Sequence, residues 1–201
     1  MKLHHSPFSP FARQVRVALH ELGLDDAVSL VETPVSPVER NADYAAVNPL
    51  RRLPALELEN GHVLPDSVVI MLYLDDRVRG RLLPEGSDRF ATLAAHSVAQ
   101  GAMEQAVGLR YETALRPEAL RWPVWIDDRW DKIDAALGWF EPRLTTPAAT
   151  LDMAQIGLGC LLGYLDFRFG DHSWRSSNPS LASWYASLAA RPSLAATAPV
   201  A

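Results

Sequence analysis

The sequence predicts two unlike halves, a small α/β domain with a mixed sheet followed by an all-helical domain. Three observations predict this. Strand-like and helix-like segments alternate up to about residue 78. The turn pair Asn60-Gly61 joins two short apolar runs as a hairpin. Beyond residue 86 strand signals stop, and apolar residues recur at spacings of three and four.

Lys2 to His5 reads as a first strand. Ser9 is an N-cap directly before Pro10, a good first helical residue, and the helix runs to about Leu22, where Gly23 stops it. Val28 to Glu32 is a second strand. Asn41 to Val47 is a short helix ended by Asn48-Pro49. Ala55 to Leu58 and His62 to Leu64 form the hairpin, and Asp66 or Ser67 caps a helix from Val68 to about Val78. The segment Arg79 to Gly86 holds Gly80, Pro84 and Gly86 and is the expected linker. Arg77, Arg79 and Arg81 are read as a solvated loop. The domains are therefore 1–79 and 86–201.

In the second half, Ser87 can cap a helix with Phe90, Leu93, Ala94, Val98, Ala102 and Leu109 as its apolar residues. Ile126, Trp130, Ile133, Leu137 and Phe140 lie on one face of a second helix, bounded by Pro142 and Pro147. Ile156 to Leu165 is apolar almost all round, a buried central helix. Asp152 and Gln155 form a capping-box pair before it. Gly157, Gly159 and Gly163 weaken that helix, so close helix packing is expected to explain them. Leu181 to Leu188 is the last short helix before Arg191-Pro192.

Composition bounds the function. The chain has 201 residues, is 48% hydrophobic and 21% charged, and carries a net charge of −5. That balance suits a globular core and argues against nucleic acid as the main partner. No run approaches the ~20 apolar residues that span a bilayer, and no apolar signal core opens the chain. The single cysteine, Cys160, fits a reducing compartment, so a cytoplasmic protein is expected. Cys160 lies in an apolar run and reads as a small buried side chain. His4 and His5 point to opposite faces of a strand and do not share one ion; no metal is expected. Trp122, Trp125, Trp130 and Trp139 read as core or interface.

Three features of the first domain carry chemistry. Ser9 places a hydroxyl at the positive end of a helix, where an anion is stabilised. Leu53-Pro54-Ala55 puts a proline at the start of a strand, which points to a turn or a cis bond and leaves the Leu53 backbone free to pair with something extended. Asp66-Ser67 opens a second helix, whose free N–H groups suit a carboxylate.

In order and spacing these resemble the N-terminal, thioredoxin-like domain of cytosolic glutathione transferases: Ser9-Pro10-Phe11, Asn48-Pro49 with basic residues, Leu53-Pro54, then Asp66-Ser67. Leu83-Pro84-Glu85 resembles the interdomain linker of that family. Asp166-Phe167-Arg168, the run Pro179 to Tyr185, and Arg191-Pro192-Ser193 resemble its all-α C-terminal domain. The resemblance implies that glutathione is the co-substrate. Leu53 would pair with its cysteinyl part, with Pro54 cis. Asp66 and Ser67 would hold the γ-glutamyl end, and Arg52 would sit near the glycine carboxylate. Ser9 would donate to the sulfur. Phe11 on the glutathione side and Phe8 on the co-substrate side would wall Ser9, and Met103, Leu109 and Tyr111 would face the cleft between the domains. A homodimer, a small apolar electrophile as second substrate, and a role in detoxification follow from the same resemblance.

Magnitudes are compatible with that role for Ser9. An ordinary thiol near pKa 8.5 is roughly 3% ionised at pH 7. A downward shift of about two units, roughly 2.7 kcal/mol, makes it about three-quarters ionised. A charge-assisted hydrogen bond at roughly 1.5–3 kcal/mol and a helix terminus at roughly 0.3–1 kcal/mol supply it. Two other functions fit the same fold. One is a non-catalytic glutathione-binding or dimerisation module. The other is a thiol–disulfide exchanger, disfavoured because Ser9 and Ala12 stand where a Cys-x-x-Cys pair would be.

Overall fold

The structure is a computed structural model that describes residues 1–79, 82–147 and 149–199. Four strands, β1 (Lys2–His5), β2 (Ser29–Glu32), β3 (Ala55–Glu57) and β4 (Val63–Pro65), form one mixed sheet in the order β2-β1-β3-β4. β1 runs parallel to β2 and antiparallel to β3, and β3 is antiparallel to β4. Helices α1 (Pro10–Leu22) and α3 (Ser67–Arg77) bury Val15, Ala18, Leu19, Ile70, Met71 and Leu74 in one core with Leu3 and Leu56. Strand residues alternate between faces, so the neighbouring Ala55 looks the other way. There it joins Leu53 and Tyr44, the latter from α2 (Ala42–Val47).

Local chemistry sets the helix ends as expected. Ser9 has extended backbone angles, and its hydroxyl oxygen accepts from Ala12 N–H at 3.2 Å, with Pro10 at the first helical position. Gly23 ends α1 with a left-handed φ of 66°. Of the two residues proposed to cap α3, Asp66 does so, accepting from Val68 N–H at 2.8 Å and Val69 N–H at 3.4 Å.

The second half is helical: α4 (Asp88–Ala114), α5 (Pro123–Phe140), α6 (Met153–Arg168), α7 (Trp174–Ser177), α8 (Pro179–Ala189) and α9 (Pro192–Ala195). α6 is buried from Met153 to Leu165 except at Ala154, and the Asp152–Gln155 capping box is complete in both directions, at 2.8 and 3.3 Å. Two expectations change here. Phe90 and Ala94 are exposed, and the buried face of α4 is His96, Ala99, Ala102, Met103, Ala106 and Leu109. At 27 residues α4 is about 40 Å long, and α6, its main neighbour, has 16 residues, so the first turns of α4 have little to pack against. The chain also does not stop folding at Arg191-Pro192, because Pro192 takes the first position of α9.

Gly80 and Arg81 of the expected linker lie outside the described residues, as do residues 148, 200 and 201. Arg77 and Arg79 are exposed. Leu82 and Leu83 are buried, while Glu85 and Gly86 are exposed. Leu82 is fully buried, its N–H donates to Asp75 Oδ1 at 2.7 Å, and its carbonyl accepts from Met153 N–H at 2.9 Å. One continuous core runs from the sheet through α1 and α3 to α4, α5, α6 and α8.

The α6 glycines mark close approaches. A Cβ on Gly159 would lie 2.8 Å from Leu188 Cδ2, and one on Gly163 would overlap the Arg13 guanidinium and lie 2.6 Å from the Tyr185 hydroxyl. Both Arg13 and Tyr185 are themselves buried. Gly163→Ala is therefore expected to lower stability by about 1–3 kcal/mol, through overpacking. Gly138, on the exposed side of α5 with open space around it, is the control: Gly138→Ala is expected to raise stability by about 0.5–1 kcal/mol. Urea midpoints of the two variants check both signs.

Candidate functional site

The sheet register brings the three sequence features to one end of the sheet. His4 pairs with Ala55, and Ala55 pairs with Pro65. The chain leaves that row toward Ser9 after β1, arrives through Leu53-Pro54 before β3, and continues into Asp66-Ser67 after β4. The N-termini of α1 and α3 thus open on the same edge.

Each residue has a distinct state there. Ser9 is half-buried, and its oxygen is occupied by Ala12 N–H, while its hydrogen has no acceptor among the described residues. The Leu53–Pro54 bond is cis, and the Leu53 N–H and carbonyl make no hydrogen bond among the described residues. The segment before it is fixed by the Arg52 carbonyl, which accepts from the Tyr44 hydroxyl at 2.8 Å and Asn48 Nδ2 at 2.9 Å. The Arg52 side chain is exposed. Ser67 is buried, and its Oγ has no hydrogen-bond partner among the described residues, a state that costs about 1–3 kcal/mol unless a ligand meets it. Asp66 has φ 76° and ψ 134°, a backbone conformation worth about 1–3 kcal/mol of strain for a residue with a side chain.

Beside Ser9 lies a small crevice lined by Pro7, Phe8, Ser9, Arg13, Cys160 and Tyr164, among others. Phe8 is exposed beside it, while Phe11 is partly buried against the main core. Tyr111 is exposed and close enough to Tyr164 to affect its ionisation. Met103 and Leu109 are fully buried and open on no cleft; Met103 Sδ accepts from Gln14 Nε2 of α1 at 3.8 Å, so it is packed between the two halves. Their place on α4 follows from the shifted phase of its buried face. The crevice residues Arg13, Cys160 and Tyr164 were not among the sequence candidates. Arg13 follows Ser9 by one helical turn, a usable signal, whereas Tyr164 is hidden in a run that reads as buried throughout.

Residues 8–77 match the family described as glutathione S-transferase, N-terminal domain, and residues 123–187 match glutathione S-transferase, C-terminal domain. The uncharacterized GST-like protein YibF of Escherichia coli (strain K12) is 30% identical over 206 residues, covering 99% of this chain and 98% of that protein. The chain belongs to the glutathione S-transferase family. Among solved structures of this family, a glutathione transferase family member from Pseudomonas fluorescens Pf-5 with bound glutathione matches with a TM-score of 0.94 and 43% identity, over 100% of this chain and 99% of that one. A second structure from that organism, with bound S-(propanoic acid)-glutathione, matches at 0.91 and 43%, over the full length of both chains. The fold is thus a thioredoxin-like domain followed by the helical domain of glutathione transferases.

Under the Asp66 corner the two domains of this transferase-family chain meet through a buried polar chain. His96 Nε2 lies 2.7 Å from Gln14 Oε1, and Gln14 Nε2 donates to Gln100 Oε1 at 2.9 Å. Burial lowers the His96 pKa to about 4, with Asp66 pulling the other way. His5, whose Nδ1 is buried without a partner, is lowered too, by burial and then by Arg16. Among the described residues no cluster of three or more His, Cys, Asp or Glu could hold a metal ion.

The sign for stability follows. Unfolded His96, with its ordinary value near 6.5, binds a proton that the folded chain refuses down to about pH 4. Stability therefore falls as pH falls from 6.5 toward 4, by about 3 kcal/mol from this group. Urea midpoints measured across that range are expected to fall less steeply in His96→Gln than in the parent. Parallel profiles would count against burial of a neutral His96.

Proposed function

We propose that the chain is a glutathione transferase that joins the glutathione sulfur to a small electrophile, with the Ser9 hydroxyl as donor to the thiolate. The observation that carries this reading is the state of Ser9. Its oxygen is engaged by Ala12 N–H, so its hydrogen is held ready for an anion at the N-terminus of α1. The open Leu53 backbone and the orphaned Ser67 hydroxyl support glutathione as the ligand, with Leu53 taking the cysteinyl part and Asp66 and Ser67 the γ-glutamyl end. Arg52 is exposed at the same edge, where the glycine carboxylate would lie, and Phe11 backs the site.

Ser9 donates its hydrogen bond to the sulfur and lowers the thiol pKa, so the thiolate is present near neutral pH. The sulfur then attacks the electrophilic carbon on the Phe8 and Tyr111 side. The ligand bound by the Pseudomonas fluorescens neighbour is glutathione substituted at sulfur, which supports room for a second group beside the sulfur. Disulfide exchange is not supported. Cys160 is the one cysteine, it is fully buried, and burial pushes its thiol up to about 11.

Ser9→Ala is expected to lower kcat more than tenfold with a modest change in KM for glutathione, whereas Ser67→Ala is expected to raise that KM. Steady-state turnover of a generic aryl halide checks both. Unchanged kcat in Ser9→Ala would remove Ser9 from the mechanism, and tight glutathione binding without turnover of any electrophile would favour a binding module. The same reading carries a cytoplasmic homodimer; light scattering is expected to give twice the 22.2 kDa of the chain.

A further inference from the structure

The side of the crevice where an electrophile would lie is cationic as well as aromatic. Phe8 and Phe167 stack, with ring centres 6.0 Å apart and planes 3° from parallel. Arg168, in the last turn of α6, lies with its Cζ 4.1 Å from the centre of the Phe167 ring and 5.3 Å from that of Phe8. Tyr164 lines the crevice with Ser9 and precedes Arg168 by one helical turn, which places the two on one face roughly 6 Å apart. From α4, Arg110 and Tyr111 act on the same Tyr164.

Neither Arg168 nor Arg110 pairs with a carboxylate among the described residues, and Arg168 Nε is buried without a hydrogen-bond partner. Asp166, two residues away, is already bound to Arg175 at 2.7 Å and to Trp174 Nε1 at 3.0 Å. Stacking occupies the flat faces of the guanidinium, and the Tyr164 hydroxyl engages part of its edge; the in-plane N–H groups that remain, Nε among them, match a carboxylate.

We propose that the electrophile carries a carboxylate, which Arg168 binds while the carbon part of the molecule lies on Phe8. This rests on the transferase reading above and narrows its substrate from a plain apolar electrophile to a small organic acid. An α,β-unsaturated carboxylate fits. The sulfur lone pair forms the C–S bond at the β carbon, and the C=C pair moves to the α carbon and onto the carboxylate. A water proton then completes the α carbon. The thiol proton has already left to solvent, so the net change is addition of S–H across the double bond, with no leaving group and no redox change. Arg168 faces the oxygens on which charge grows.

The test compares two adducts of similar arm length, S-(2-carboxyethyl)glutathione and S-propylglutathione, by calorimetric titration beside glutathione itself. The parent protein is expected to bind the carboxylate adduct at least about tenfold more tightly than the propyl adduct. In Arg168→Gln that ratio is expected to fall to near one. A ratio near one in the parent overturns the proposal whatever the variant does, and so does a ratio that survives the substitution. If the parent binds none of the three ligands, the transferase reading fails and takes this inference with it; equal binding of both adducts sinks the carboxylate alone.

Discussion

The approach of α1 to α6 governs everything at the site. α1 carries Ser9 at its first turn, packs on the sheet with one side and meets the helical domain with the other. That second contact is close because α6 has no side chain at Gly163, where the Arg13 guanidinium and the Tyr185 hydroxyl sit. Arg13 then donates to the Leu194 carbonyl at 3.0 Å and reaches Thr197 Oγ1 at 3.4 Å. At the other end of α1, Glu21 takes Arg191 in two hydrogen bonds, at 2.7 and 2.6 Å. Held along its length, α1 cannot slide, and the Ser9 hydroxyl is fixed with it.

Electrostatics at this edge come from the backbone first and from side chains second. α1 and α3 both begin there, so two sets of unpaired N–H groups converge on one cleft. Arg13 lines the crevice and Arg168 overlies Phe8 at its rim, while Asp66 is the carboxylate at the start of α3. Such a cleft suits the amine-bearing thiolate proposed above.

The sequence was most readable where one residue type has one physical use. Ser9 before Pro10, Asp152 with Gln155, and Asn60-Gly61 between strands each fold as their chemistry requires. The three glycines of α6 were readable too, as sites of close packing. Phase along α4 was not. Phe90 is apolar yet exposed, and His96 is polar yet buried, because a long helix is covered along only part of its length and a hydrogen-bonded imidazole can pass for a core residue. Helical residues near the crevice were hard to read for the same reason. Met103, Leu109 and Tyr164 all look like core, and nothing in a helical repeat tells a wall from an interior. The linker's Gly and Pro content marks a break between helices but carries no sign that Leu82 is tied at both backbone atoms.

That anchored leucine has a consequence for how the molecule opens. Leu82 bonds to Asp75 in the last turn of α3 and to Met153 at the start of α6, so a two-domain architecture is stitched across its own seam. With one apolar core spanning the seam, local opening of either half exposes surface belonging to the other. The shared core couples the two halves, so amides deep in α6 are expected to exchange more slowly than a helical half standing alone would allow. A ligand that tightens the loops around Ser9 would slow hydrogen exchange far away in the helical half, without touching it.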